Sequence, residues 1–201
     1  MKTNKDEILK SALLLFMSVN YEKASLSMVT KMVGLTKTGI FNYFSTKQEL
    51  FVAVADKYLF AAQDPKLKFD ESNGSLENFI EKYVQGVDRT MSMILELGNS
   101  LTDRTANAGY FHFIQQVSFY YPNAQSKIRE MINHDYEYWR VAIRKAIENG
   151  EIPPKTDIEN ATCLFRQIFT GLSYEMSFFG GLDVAKLRQQ LLYAYRLIKA
   201  A

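Results

Sequence analysis

The sequence predicts an all-α protein of about nine helices: an N-terminal three-helix domain carrying a helix-turn-helix, then a larger helical domain. Three observations predict it. Every long segment repeats its apolar residues at intervals of three and four, and none alternates as a strand does. Capping residues and breakers fall at the ends of those segments. Between Ser25 and Leu50 the chain fits two short helices around a glycine corner and then opens a third on a capped lysine.

The first helix, α1 (5–19), places Ile8, Ala12, Leu15, Phe16 and Val19 on one face. Ser25 can cap α2 (27–33), whose apolar run is Leu26, Val29, Met32 and Val33. Gly34 follows, where a helix end needs positive φ, and Leu35 returns toward the core. Thr36 is a good N-cap for α3 (37–44), with Ile40, Tyr43 and Phe44 turned inward. Ser45 with Gln48, or Thr46 with Glu49, forms a capping-box pattern for α4 (46–62), which Gln63-Asp-Pro65 stops. The polar stretch 66–74 is the clearest linker.

Ser75 caps α5, in which Leu76, Ile80, Tyr83, Val84, Val87, Met91, Ile94 and Leu95 repeat at helical spacing up to Gly98. Residues 99–108 are ambiguous. Next come α6 (108–120), ended by Tyr121-Pro122, and α7 (123–148), with Ile128, Met131, Ile132, Trp139, Ile143 and Ile147 inward and Asn149-Gly150 at its close. Then α8 (156–179) runs to the break at Gly180-Gly181, and Asp183 caps α9, which reaches the C-terminus. Both last helices are apolar over more than one stripe: Ala161, Leu164, Phe165, Ile168, Phe169, Leu172, Met176 and Phe179 in α8; Val184, Leu187, Leu191, Leu192, Tyr195 and Ile198 in α9. Such width asks for burial on two sides, most simply against a second copy in a two-fold four-helix interface.

The corner at Gly34 points to DNA. A helix-turn-helix sets the N-terminal residues of its second helix against base edges. The outward side of α3 carries Lys37, Thr38, Gly39, Phe41 and Asn42. Thr and Asn exchange hydrogen bonds with bases, Lys reaches guanine acceptors or phosphate, and Phe41 can meet a thymine methyl. Lys47 lies in the first turn of α4, where its charge opposes the helix dipole unless an anion docks there. With Ser25, Ser27, Thr36 and Tyr43 these form the candidate DNA-contact set. The expected division is a DNA-binding domain over 1–48 and a domain over 49–201 for dimerisation, to which the resemblance described below adds effector binding.

Composition sets bounds. Apolar residues make up 47% and charged residues 23% of the 201, ordinary for a soluble globule. No stretch is long and apolar enough for a membrane span, and the polar N-terminus does not read as a signal peptide, so a cytoplasmic protein is expected. Net charge is +2; residues 1–60 hold eight Lys against five Asp or Glu, a modest excess that alone would never single out a DNA binder. The single cysteine, Cys163, excludes an internal disulfide and reads as a small core residue. With two histidines, no glycine-rich phosphate loop and no serine elbow, metal, cofactor and catalytic readings find no support. The C-terminal part is rich in aromatic residues and methionine with a few polar groups among them, the mixture of a ligand pocket: Met91, Phe111, His112, Gln115, Phe119, Trp139, Phe165 and Phe169 are the candidate lining. The resemblance described next implies that a small apolar or amphipathic effector is what it would take.

The segments Ile8–Phe16, Tyr21-Glu-Lys-Ala-Ser25, Val29, Gly34-Leu-Thr-Lys37, Ile40-Phe-Asn-Tyr-Phe44 and Lys47-Gln-Glu-Leu50 resemble the tetracycline-repressor (TetR) family of bacterial transcription regulators. The resemblance implies that Thr36 to Phe44 is a recognition helix, that Lys47 contacts backbone phosphate, and that an effector cavity lies in the C-terminal helices. Four departures stand out. Asn20 occupies a usual glycine position, which asparagine fills by tolerating left-handed backbone. Thr30 replaces a usual alanine, Thr38-Gly39 reverses the common order, and Phe41 replaces a tyrosine. The expected protein is a homodimeric repressor that binds a palindromic operator and is released by a ligand. The alternatives are a helical small-molecule-binding protein and a ligand-independent DNA-binding regulator. Effector, operator, regulated genes and the choice between repression and activation are not written in the sequence.

Overall fold

In the computed structural model, which describes residues 5–62, 75–97, 103–179 and 181–200, the described residues form nine α-helices: α1 Lys5–Ser18, α2 Leu26–Val33, α3 Lys37–Phe41, α4 Lys47–Ala55, α5 Leu76–Leu97, α6 Asp103–Tyr120, α7 Ala124–Glu148, α8 Ile158–Ser177 and α9 Val184–Ala200. The predicted stop at Gln63-Asp-Pro65, the linker 66–74, Gly98 and Gly180 lie outside the described residues.

Caps fix the ends. The Ser75 hydroxyl accepts from the Asn78 amide at 3.1 Å, Asp157 from Asn160 at 3.0 Å and Asp183 from Lys186 at 2.9 Å. Part of the ambiguous 99–108 stretch proves helical, since α6 starts at Asp103. Two predicted helices are shorter than expected. α3 ends at Phe41 rather than 44, although Tyr43 and Phe44 both still donate to Ile40 O. α4 is regular only to Ala55, then widens into a π-helical turn over Asp56–Ala61. There the Tyr58 carbonyl accepts from the Tyr110 hydroxyl of α6 at 2.7 Å, an outside donor inserted at the widened ladder.

The chain divides into two compact units, Met1–Ala62 with Ile94–Ile128 and Gln63–Met93 with Arg129–Ala201. In the first, Ile8, Leu13 and Phe16 of α1 are buried with Ile40, Phe44, Leu50, Phe51 and Val54, and Phe113 and Val117 of α6 join them. Burying each large side chain contributes roughly 1.5–3 kcal/mol. α6 lies against α1 at Gly109, where an added Cβ would stand 3.0 Å from Met17 O. The Gln116 amide donates to Phe16 O at 2.7 Å across the same contact. The helix-turn-helix thus packs with α4 and α6, beyond the residues 1–48 assigned to DNA binding.

In the second unit Ile80 and Tyr83 of α5, Trp139 and Ile143 of α7, Phe165 of α8, and Leu187 and Leu191 of α9 form the core. Glu151, in the loop after α7, accepts from the Leu76 amide at 2.7 Å and from the Tyr195 hydroxyl at 2.9 Å. A carboxylate at the N-terminus of α5 complements its dipole.

Four expectations need correction. Asn20 does not take left-handed backbone: among the described residues Asn123, with φ 54°, is the one non-glycine there. Asn20 holds its turn through its side chain, Oδ1 accepting from the Lys23 amide at 3.1 Å. Met32 is 48% exposed, because Thr30 occupies the buried face of α2 and turns Met32 outward. Thr30 is tolerated there because its hydroxyl donates to Ser27 O at 2.8 Å. Ile132 is 38% exposed on α7. Cys163 is exposed rather than part of the core, one residue round the helix from fully buried Thr162.

Candidate nucleic-acid interface

Local caps place the predicted contact residues. The Ser25 hydroxyl accepts from the Met28 amide and starts α2. Gly34 takes φ 68°, and its amide and that of Leu35 converge on Thr30 O, which closes α2 within one residue. Thr36 is extended, and its Oγ1 accepts from the Gly39 amide at 3.1 Å. A Cβ on Gly39 would approach that hydroxyl to 3.2 Å, so the glycine leaves the cap room.

The α3 tip stands outward. Thr36, Lys37, Thr38, Phe41 and Asn42 are exposed, Gly39 and Tyr43 are half-buried, and Ile40 and Phe44 anchor the other side. Phe41, at 45% exposed, is a large apolar side chain held in water. Ser27 is exposed at the start of α2, whereas Ser25 is half-buried. The expected set therefore shares one region; Ser25 and Thr36 each accept from an amide as caps, which uses a lone pair and leaves the O–H free to donate.

Lys47 is the most constrained member. Thr46 caps α4 by accepting from the Glu49 amide at 3.0 Å, which decides between the two capping patterns. The Glu49 carboxylate reaches back one residue further than a capping box requires, to the Ser45 amide at 2.8 Å. Lys47 Nζ donates to Tyr21 O at 2.7 Å and to Glu22 O at 3.4 Å, and it stands 4.2 Å from the Tyr21 ring centroid. The Tyr21 ring stacks on Tyr120 of α6 with centroids 4.5 Å apart and meets Phe51 edge-on at 5.0 Å. The Tyr120 hydroxyl donates to the Glu22 carboxylate, which raises its pKa above the ordinary tyrosine range. Sequence reasoning missed Tyr21 and Tyr120 as the seat of Lys47; Tyr120 is too distant along the chain for any local signal to mark it.

The expected effector residues are divided between the two compact units. Phe111, His112, Gln115 and Phe119 sit on α6 in the first unit, where His112 and Gln115 are exposed and Phe119 is 79% exposed. These three are surface residues, not the lining of an enclosed site within that unit. Met91, Trp139, Phe165 and Phe169 belong to the second unit. There Trp139 stacks on Phe165 at 4.7 Å and 8°, with Tyr83 at 5.0 Å and Phe79 at 4.9 Å. An open depression of about 330 Å³ is lined instead by Pro153, Thr156, Ala161, Leu164, Ile198 and their neighbours.

Comparison with known proteins places these features. Residues 8–54 match the model described as bacterial regulatory proteins, tetR family. Among solved structures, a TetR-family transcriptional regulator from Marinobacter aquaeolei is similar with a TM-score of 0.70 at 15% identity, over 99% of this chain and 92% of that one. The TetR-family regulator PfmR from Thermus thermophilus gives 0.60 at 18%, over 96% and 97%. MexZ of Pseudomonas aeruginosa, described as a key repressor responsible for antibiotic resistance, gives 0.64 at 15%, over 98% and 91%. No curated protein matches by sequence. At these identities the structures establish a shared fold.

Proposed function

Through its residues 8–54 the chain belongs to the tetR family of bacterial regulatory proteins, and from that premise we propose that it is a dimeric repressor that a small molecule releases from a roughly palindromic operator. Its family makes it a DNA-binding regulator rather than an enzyme. The observation that carries the finer reading is the exposed α3 tip, Thr36 to Asn42, held on two buried anchors, Ile40 and Phe44. Two copies related by a two-fold axis would present two such tips to successive major-groove faces about 34 Å apart.

Support for the dimer comes from α8 and α9. Leu164, Tyr174, Phe178, Phe179, Tyr193 and Leu197 are each 44% or more exposed, while the opposite sides of both helices are buried. A single chain leaves that apolar face in water, and a second copy would cover it. In this reading the effector binds among α5, α7 and α8 of the second unit, with a coupling to DNA affinity of ~1–3 kcal/mol.

Gel retardation on the DNA upstream of its own gene tests the reading. Retardation should fall steeply with rising salt and should be competed by a palindromic fragment better than by its half-site. Absence of retardation at low salt would reject it.

A further inference from the structure

The second unit buries polar atoms that nothing in the protein satisfies. On α8, Thr162, Arg166, Phe169 and Ser173 follow at intervals of four, three and four and so share one face. Thr162 is fully buried and Arg166 is 8% exposed. Thr162 Oγ1, Arg166 Nε and Ser173 Oγ have neither a hydrogen-bond partner nor access to solvent. Trp139 Nε1 on α7 is turned toward the Tyr83 hydroxyl but falls short of hydrogen-bond geometry.

The rest of the Arg166 guanidinium is engaged. Its Nη1 meets Asp135 Oδ2 at 2.8 Å and the Tyr83 hydroxyl at 3.4 Å. The Tyr136 and Phe169 ring centroids lie 5.4 and 5.5 Å from its Cζ. Burial and the nearby Asp135 charge raise the Tyr83 pKa, so its phenol stays protonated.

Folded proteins leave few buried polar atoms unpaired, and each one asks for a water or a guest. Two of these four atoms, Arg166 Nε and Trp139 Nε1, can only donate, and the two hydroxyls can do either. The missing partner must therefore supply acceptors. Its charge follows from Asp135. The one guanidinium in the cluster is already matched, so a carboxylate guest would have to displace Asp135 or bury an unmatched charge. Its body follows from the aromatic rings, which suit a flat apolar framework.

We propose that Thr162, Arg166 and Trp139 form the polar floor of the effector site, with Ser173 about two turns beyond Arg166 along α8, and that the site takes a neutral, flat, largely apolar molecule bearing a carbonyl-type acceptor. The inference deepens the ligand-release reading and rests on it for the site's role, but its test measures binding alone. Calorimetry on the full-length protein would compare 2-acetylnaphthalene, which offers a neutral carbonyl, with 2-ethylnaphthalene, which lacks the acceptor, and 2-naphthoate, which adds a charge. The ketone should bind about tenfold or more tighter than either.

Thr162→Val removes one hydroxyl at nearly constant shape. The pair Arg166→Met with Asp135→Leu removes both charges together and strands neither. Each should cut the ketone's advantage over the hydrocarbon, both measured on the same variant, about three- to tenfold. Equal binding of ketone and hydrocarbon, tightest binding of the naphthoate, no binding of any of the three, or an unchanged preference in both variants would overturn the proposal. If the ketone binds as expected but leaves retarded DNA in place, the assigned site stands and ligand release fails.

Discussion

The Lys47 ammonium has three donors. Tyr21 O takes one at 2.7 Å, Glu22 O lies at the margin at 3.4 Å, and the Tyr21 ring covers one flank. At least one N–H stays available to a phosphate, from a position the protein has fixed in advance. Lys47→Ala should then do two things. It should weaken operator and unrelated DNA alike, flattening the slope of log affinity against log salt by about 0.9 per copy. It should also lower folding stability by about 1 kcal/mol, because the carbonyl of Tyr21 loses its donor. Anisotropy titrations at several salt concentrations and urea unfolding measure the two effects; an unchanged slope would remove Lys47 from the contact set. Lys37→Ala and Asn42→Ala, on the free face of α3, should instead change which sequence is selected from a randomised pool. Lys47 also shows where sequence reading stops. Its first-turn position next to the Thr46 cap was legible, but its Tyr21 seat depends on a non-local contact. The free side chains of α3 were legible because a cap and two buried anchors fix that helix locally. Tyr121 gives a pH test at the same scale. Burial, then a hydrogen bond to Asp56 Oδ1 at 2.7 Å, pushes its phenol up to about 12 from an ordinary 10.0. A raised folded-state value means the contribution is whole below pH 10 and is lost as pH climbs toward 12. Tyr121→Phe should remove part of that alkaline loss of stability and delete a late-titrating phenolate from the near-ultraviolet absorbance.

Elements were legible where their ends are chemical. Serine, threonine and aspartate caps fix the starts of α2, α3, α4, α5, α8 and α9, and a glycine ends α2. Each is a side-chain-to-amide bond within four residues, so the sequence carries it outright. The π-helical turn after α4 was not legible, since an apolar period of three and four does not distinguish it from regular helix and its outside donor, Tyr110, comes from α6. Aromatic composition likewise marked both α6 and the α7–α8 core, but composition does not say which rings face outward: Phe119 is exposed and Phe165 buried. The contact between α1 and α6 depends on a missing side chain. At Gly109 an added Cβ would sit 3.0 Å from Met17 O and 3.1 Å from Met17 Cβ, and backbone cannot rotate away as a flexible side chain does. Gly109→Leu should part the two helices and destabilise the first unit by about 1–3 kcal/mol, with Gly109→Ala costing less. A leucine variant as stable in urea as the parent would show that the close approach contributes nothing.

For the whole molecule the decisive surface is the outer side of α8 and α9. Leu187, Leu191 and Phe165 on the inner side are fully buried within one chain, whereas Leu164 and Leu197 are 44% and 55% exposed. Replacing the inner leucines would test folding. Replacing the outer ones tests assembly, because a single chain gains little from burying them. Leu164→Glu together with Leu197→Glu would set like charges facing each other across a two-fold interface, where the same patch meets itself. The pair should sediment as one chain at micromolar concentration where the parent sediments as two, with heat unfolding of the isolated chain changed only slightly. Operator binding should weaken far more than any single α3 substitution produces, since each tip would have to find its half-site alone. Binding to unrelated DNA should weaken less, because phosphate contacts act within each copy. A variant that still sediments as two chains would move the interface away from α8 and α9. A monomeric variant with parental operator affinity would separate DNA recognition from pairing, and with it the two-fold reading of the operator.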